Sequence, residues 1–154
     1  MRSAACLIQR LDHRQPATAE QIRGLLQSAH AQESKLIGAE PGPVPSLQQI
    51  QLSLDVHLGA LEGGALVGVV VIGPSDDPGQ LELKSLAVAA GCQRRGIASA
   101  LLGQVFAAGG ASFGVTVAQA NAGALALYRG MGFAAHRCGA LGVQGIPVLR
   151  LRRP

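Results

Sequence analysis

Two arginines and a glycine stand together in the segment "QRRGIA", residues 93–98, which follows the apolar run "LAVAA" and a "GC" step. The run predicts a strand, and the apolar spacing after the segment predicts a helix. The first turn of a helix leaves backbone N–H groups without acceptors and carries a partial positive charge, which favours a bound phosphate. Gly96 would let the backbone approach a diphosphate, and Arg94 and Arg95 would add charge. The alternative is an ordinary helix start with solvated arginines.

A second segment, "NAGALALYRGMGF" at residues 121–133, follows a predicted strand. The two segments in this order resemble the GNAT superfamily of acyl-CoA-dependent N-acetyltransferases. Its signature is a Q/R-x-x-G-x-G/A loop followed by an N-x-x-A-x-x-L-Y-x-x-x-G-F helix. The sequence contains neither the P-loop pattern nor the G-x-G-x-x-G dinucleotide pattern. The matching residues are Gln93, Arg94, Arg95, Gly96, Ile97 and Ala98, then Asn121, Ala124, Leu127, Tyr128, Gly132 and Phe133.

The resemblance covers residues 50–138 best and departs from the family at Ala98, where many members have a second glycine. It implies one GNAT domain over residues 1–154 with a mixed α+β fold. We expect a central, mostly antiparallel twisted sheet of six to seven strands flanked by about four helices. The implied reaction transfers an acetyl group from acetyl-CoA to a primary amine by direct attack in a ternary complex. The alternative is a non-catalytic acyl-CoA-binding or regulatory module of the same fold.

The same resemblance implies which residues bind acetyl-CoA. The pantetheine arm would lie beside the strand "LKSLAV" and pair with the backbone of Leu86 and Val88. The side chains of that strand are otherwise expected to be core residues. The expected cofactor-binding set is Leu86, Ala87, Val88, Gln93, Arg94, Arg95, Gly96, Ile97, Ala98, Ser99, Asn121 and Tyr128.

Tyr128 is the only tyrosine of the chain. An unperturbed phenol has a pKa of about 10 and stays protonated near neutrality, as a proton donor to a departing thiolate requires. A core tyrosine is the alternative. Asn121 is expected to bind the cofactor, to cap its helix, or both.

Glu82 stands where some GNAT members keep the carboxylate that takes the proton from the attacking amine. Lys84, two residues along the same strand, is expected to lie near Glu82 and lower the pKa of its carboxyl. The alternatives are an ion-paired surface residue at Glu82 and an ordered water as the base.

The acceptor is expected to be a small-molecule or peptide amine, and its identity is not encoded in any motif. Cys92 borders the loop, but a nucleophilic thiol would need a neighbouring base that the sequence does not supply. The four histidines lack metal-ligand spacing, so no metal is expected. A basic nucleic-acid-binding domain using "QRR" and the terminal "RLRRP" is a further alternative, disfavoured by the few aromatic residues.

Gly and Pro clusters divide the chain into predicted elements. Strands are expected in "ACLIQRL", "DVHLGALE", "GGALVGVVVIG", "GQLELKSLAVAA", "SFGVTVAQA", "FAAHRC" and "IPVLRLR", the second to fourth forming an antiparallel meander. A first helix is predicted over 18–34 with Thr18 as N-cap, and a second near 45–54, capped by Ser46 with Leu47, Ile50 and Leu54 buried. The third is expected over 95–108, ended by Gly109 and Gly110, and the fourth from Asn121 to Gly132.

Composition limits the cellular location and the partners that the sequence predicts. The chain has 154 residues, 48% of them hydrophobic, and a net charge of +4. Its longest apolar stretch is well short of the roughly 18 to 20 residues that span a membrane, and its N-terminal stretch is too interrupted for a signal peptide. We therefore expect a cytoplasmic protein with no membrane and no nucleic-acid partner, while a homodimer stays open. The three scattered cysteines are expected to be free thiols.

Overall fold

A computed structural model describes residues 6–109 and 111–154. Within them the chain forms seven strands, four α-helices and one short 3₁₀ turn, so the predicted mixed α+β fold is confirmed. Ala5 of the predicted first strand and Gly110 of the predicted helix stop lie outside the described residues. The elements are β1 (Leu7–Arg10), α1 (Pro16–Ile37), α2 (Leu47–Leu52), β2 (Val56–Glu62), β3 (Ala65–Pro74), β4 (Gln80–Val88), the 3₁₀ turn (Ala90–Cys92), α3 (Ile97–Ala107), β5 (Ser112–Ala118), α4 (Ala122–Gly130), β6 (Ala134–Leu141) and β7 (Ile146–Arg153).

The strands form one sheet in the order β1-β2-β3-β4-β5-β7-β6. The neighbours are antiparallel except β4 and β5, which run parallel. Their pairing is short: residues 80–82 of β4 face residues 112–114 of β5, and the strands then separate. The later part of β4 therefore has a neighbour, β3, on one side and a cleft on the other.

Helices cover both faces of the sheet because the central strand β3 is apolar on both sides. Val69 and Val71 pack in a cluster with Ile22 and Leu25 of α1. The alternate residue Val70 packs in a second cluster with residues of α3 and α4. This alternation is the period of two that a strand imposes on its side chains, and it fixes α1 on one face and α3 and α4 on the other.

Details of two helix predictions are wrong. Helix α1 begins at Pro16, with Gln15 rather than Thr18 as its N-cap, because proline at the first helical position is preset for the helix. Helix α2 has the predicted Ser46 cap, with a complete capping box to Gln49. It ends at Leu52, however, and Leu54 lies beyond it and is 92% exposed. Of the three side chains expected to be buried there, Leu47 is 37% exposed and only Ile50 is buried.

Two buried histidines pack face to face near the start of β2. The His13 and His57 ring centroids are 4.2 Å apart. His13 Nε2–H donates to the carbonyl of Ser53 at 2.7 Å, and His57 Nδ1–H donates to the carbonyl of Asp55 at 3.1 Å. Burial, and then the neighbouring His13, lower the pKa of His57. The surroundings of His57 therefore favour its neutral ring.

None of the helices described here is both long and apolar enough to cross a bilayer.

Candidate active site

A cavity of about 840 Å³ opens where β4 and β5 separate. Residues 83–88 of β4 and 115–118 of β5 line it. The loop before α3, the start of α3, and α4 contribute further lining, as do α1 and the proline-rich loop at 41–45. Most of the predicted cofactor-binding residues thus meet in one cleft.

The loop before α3 has the geometry of an anion cradle. Gly96 is the N-cap of α3 with φ of 79°, a left-handed conformation that glycine adopts without strain. The first intrahelical bond runs from the N–H of Ala100 to the carbonyl of Gly96, so the three preceding N–H groups have no acceptor in the helix. Those groups belong to Ile97, Ala98 and Ser99, which line the cavity. A Cβ at Gly96 would meet no atom within 4 Å, so the space beside it is open.

The two arginines of the loop have different surroundings. Arg94, which has a positive φ of 63°, lines the cavity. Arg95 instead donates to the carboxylate of Glu62 on β2, which lowers the pKa of Glu62. Glu62 also accepts from the thiol of Cys6 at 3.6 Å. Arg95 therefore holds the loop against β2, and this geometry does not favour the expected phosphate contact by its side chain.

The exposed edge of β4 presents backbone groups to the cavity. The N–H of Ala89 donates to the carbonyl of Val67, toward β3. Because backbone groups alternate along a strand, those of Leu86 and Val88 point the other way, toward the cleft. The carbonyl of Val88 accepts a bond of 3.4 Å from the side chain of Gln93, which also donates to Gln32 on α1 at 2.9 Å.

Tyr128 of α4 lies in the wall of the cavity and is 6% exposed. Its ring packs edge-to-face on Phe133 with centroids 5.4 Å apart. Its hydroxyl forms no hydrogen bond within the described residues. Burial, and then the negative charge of Glu33, raise the pKa of the phenol well above its ordinary value. The hydroxyl of Tyr128 is therefore protonated at neutral pH and has no hydrogen-bond acceptor among the described residues.

Asn121 caps α4, as predicted, and lines the cavity. Its Oδ1 accepts from the N–H of Ala124 at 3.1 Å, which confirms the predicted cap of α4. Its Nδ2 donates to Glu33 of α1 at 3.4 Å. Asn121 therefore links the first turn of α4 to α1 across the cleft.

Glu33 is the functional candidate that sequence reasoning missed. It lines the cavity from the C-terminal half of α1. The signal was present in the sequence: Leu26, Ala29, Glu33 and Leu36 recur at helical spacing, and all four line the cavity. One acid interrupts an otherwise apolar stripe there.

Glu82 lies outside the cavity lining, within a charged network between strands. Arg150 of β7 donates to both of its carboxylate oxygens at 2.6 Å. Arg150 also contacts Asp77 and lowers the pKa of that carboxyl. This geometry matches the ion-paired alternative for Glu82 and does not favour it as the base.

The expected pairing of Lys84 with Glu82 is wrong. Ile72 of β3 faces Leu83, whereas Val71 faces Ser85, so Lys84 is the extra residue of a β-bulge. Its ammonium lies 3.1 Å from the carboxylate of Asp55 instead. Lys84 nevertheless lines the cavity.

Among residues 6–109 and 111–154, no three His, Cys, Asp or Glu side chains are grouped closely enough to hold a metal ion.

One family model matches the chain, and solved structures share its fold. The model described as "Acetyltransferase (GNAT) family" matches residues 24–133. The structure is similar to the ribosomal-protein-S18-alanine N-acetyltransferase from Escherichia coli, with 19% identity, TM-score 0.73, and 97% of this chain and 93% of that chain covered. It is similar to the ribosomal-protein-alanine N-acetyltransferase from Brucella melitensis, with 19% identity, TM-score 0.75 and coverages of 96% and 98%. A chain of the NatC complex bound to Gag peptide and CoA matches with 17% identity, TM-score 0.71 and coverages of 98% and 99%. No curated protein sequence matches.

Proposed function

The chain belongs to the acetyltransferase (GNAT) family, and on that premise we propose that it transfers an acetyl group from acetyl-CoA to a primary amine. The proposal rests on three groups that line one cleft. The uncapped N-terminus of α3, the free backbone edge of β4 and the uncommitted hydroxyl of Tyr128 all line it. Each supplies one requirement of acyl transfer from a long, diphosphate-bearing thioester.

The residues present fit acetyl-CoA. The free N–H groups at the start of α3, beside the open space at Gly96, would hold the diphosphate, with Arg94 contributing charge. The backbone of Leu86 and Val88 would hold the pantetheine arm as an added strand. When bound, acetyl-CoA supplies an acetyl group activated as a thioester.

Tyr128 would donate its proton to the sulfur as the C–S bond breaks. Burial keeps the phenol protonated until negative charge develops beside it, and its hydroxyl has no competing acceptor among the described residues. A hydrogen bond to a developing anion in a buried site is the kind of interaction that lowers a barrier without tightening ground-state binding.

Direct attack by the amine is the proposed route. Cys92 also lines the cavity, but a covalent route through it would need a base to ionise the thiol. The hydrogen bonds of the described residues place no such base on its sulfur. For the amine proton, Glu82 is the carboxylate that the family resemblance implies, and an ordered water is the alternative. The bidentate bond from Arg150 weighs against Glu82.

The test is release of free CoA from acetyl-CoA in the presence of an amine panel. The panel contains alkyl amines, polyamines, amino acids and peptides with free N-termini, the last because two similar structures are named as ribosomal-protein-alanine N-acetyltransferases. Amine-dependent CoA release with a matching acetylated product supports the enzyme. Tight acetyl-CoA binding without release for any amine supports the non-catalytic module instead.

A nucleic-acid-binding role is disfavoured because three of the five arginines it would use are bonded within the fold. Arg95 binds Glu62, and Arg150 binds Glu82 and Asp77. Arg153 donates to the carbonyl of Met131 and lies 4.0 Å over the ring of Phe106. These cations already have partners within the fold.

A further inference from the structure

Glu33 is the only Asp or Glu among the described residues that line the cavity. It is half-buried, and its hydrogen-bond partner there is the neutral amide of Asn121 at 3.4 Å. No salt bridge involves Glu33 among the described residues, and Lys84, which also lines the cavity, is paired with Asp55. A partly desolvated carboxylate without a cation favours a positively charged ligand.

Glu33 and Tyr128 also line the same cavity. Asn121 and Tyr128 are seven residues apart on α4, two helical turns on one face, and both line the cavity. Glu33 bonds Asn121, and its charge is close enough to act on the phenol of Tyr128. A proton acceptor and a proton donor therefore lie in one cleft, on opposite elements α1 and α4.

The geometry points to Glu33 as the residue that binds the ammonium group of the acceptor and accepts its proton. This inference rests on the proposed acetyl transfer. The ammonium gives one proton to a Glu33 carboxylate oxygen, and the freed amine forms the N–C bond to the acetyl carbonyl carbon. As the C–S bond breaks, Tyr128 gives its proton to sulfur. The nitrogen then loses a second proton, which passes through solvent and reprotonates Tyr128. Glu33 then releases its proton to water.

The charges of the cavity also limit the acceptor class. The other titratable groups that line it are His30 on α1, Lys84 on β4, Cys92 and Arg94 before α3, and Tyr128 on α4. None of these is an anion that could pair with a second ammonium. The proline-rich loop, Leu36 and Leu141 supply apolar lining. The inferred acceptor is therefore a monoamine whose ammonium is attached to an apolar group, rather than a polyamine.

The experiment compares Glu33→Gln with Glu20→Gln, an exposed acid on the same helix that does not line the cavity. Leucinamide and an alanyl peptide amide are the probes, with spermidine as the polyamine. We expect both monoamines to be better acceptors than spermidine. We expect Glu33→Gln to lower kcat/KM at least about 100-fold and to remove the acidic limb of its pH profile. Glu20→Gln should match wild type, and Glu33→Asp should restore part of the activity.

A binding measurement separates this role from a structural one. Calorimetry should show an unchanged acetyl-CoA affinity for Glu33→Gln and weaker leucinamide binding to its CoA complex. The inference is overturned if Glu33→Gln keeps the wild-type kcat/KM and pH profile, if Glu82→Gln shows the loss instead, or if spermidine is preferred. A wild-type protein that releases no CoA with any amine overturns the proposed function itself.

Discussion

Replacing Gly96 by glutamate should abolish acetyl-CoA binding while the protein stays folded. The backbone cost is limited because a Cβ at this position meets no atom within 4 Å. What remains is the left-handed conformation at φ of 79°, which costs a residue with a Cβ about 1–2 kcal/mol. That is a minor part of a typical domain stability of about 5–15 kcal/mol. The variant should therefore fold with a modestly lower Tm.

The electrostatic repulsion between the new carboxylate and a bound diphosphate is larger than this loss of folding stability. A carboxylate about 5 Å from one phosphate charge, at an effective dielectric constant of about 20, is repelled by about 3 kcal/mol. That energy corresponds to a weakening of Kd of about 100-fold. The side chain would also fill the open space beside the uncapped N–H groups of α3, so the loss should exceed this figure. Gly96→Ala, which adds strain and volume without charge, should lose less.

Titration calorimetry with CoA and acetyl-CoA measures these affinities, and circular dichroism monitors folding. The matched control is Gly109→Glu at the other end of α3, where φ is 69° and a Cβ also meets no atom within 4 Å. It introduces the same charge and comparable strain outside the cavity, so its affinity should equal wild type. A folded Gly96→Glu variant that binds CoA with wild-type affinity would refute the assignment of the diphosphate to this loop.

Three further predictions follow from the site and the core. Tyr128→Phe should lower kcat about 100-fold with little change in acetyl-CoA affinity; a loss of only a few-fold in steady-state assays would assign the ring to packing. Glu82→Gln should lower the free energy of unfolding by about 1–3 kcal/mol, because it removes the charge bonded by Arg150. Denaturant titration measures that loss, and kcat/KM should stay near wild type, contrary to a role as base. The lowered pKa of His57 makes the neutral ring the folded form. The neutral His57 ring contributes to the free energy of unfolding at pH values above the pKa of about 6.5 that a histidine has in the unfolded chain. That contribution is lost as pH falls through the lower pKa of His57 in the folded protein. Tm should therefore fall between pH 7 and 5, with a flatter profile for His57→Gln, and an identical profile for that variant would contradict the argument.

The elements that the sequence predicted well are those whose local chemistry decides the structure. Ser46 and Asn121 cap helices because their side-chain oxygens satisfy nearby N–H groups, a requirement that is visible in a few residues. The order of strands and helices followed from apolar periodicity in the same way. The segment 93–98 was predicted to lead into a helix, and it does lead into α3 at the edge of the cavity; its diphosphate contact stays a prediction.

The errors about the site arose where its geometry depends on contacts between distant parts of the chain. Lys84 was placed beside Glu82 by the regular alternation of a strand, but a bulge opposite β3 shifts it to Asp55. Arg150, which binds Glu82, is 68 residues away in the chain and could not be paired with it from spacing. Glu33 belongs to the cleft only because α1 packs across β4, a tertiary arrangement that local pattern does not reveal.

The separation of β4 from β5 also affects how the protein avoids association with other chains. An unpaired strand edge is a template for pairing with a neighbouring polypeptide, and here one lies in the middle of a seven-stranded sheet. Residues of α1, α3 and α4 line the cleft around it, so these helices obstruct a strand that belongs to another folded sheet. The cleft suits a slender, extended molecule better. The geometry that makes the edge available to a ligand therefore also protects it from templating aggregation.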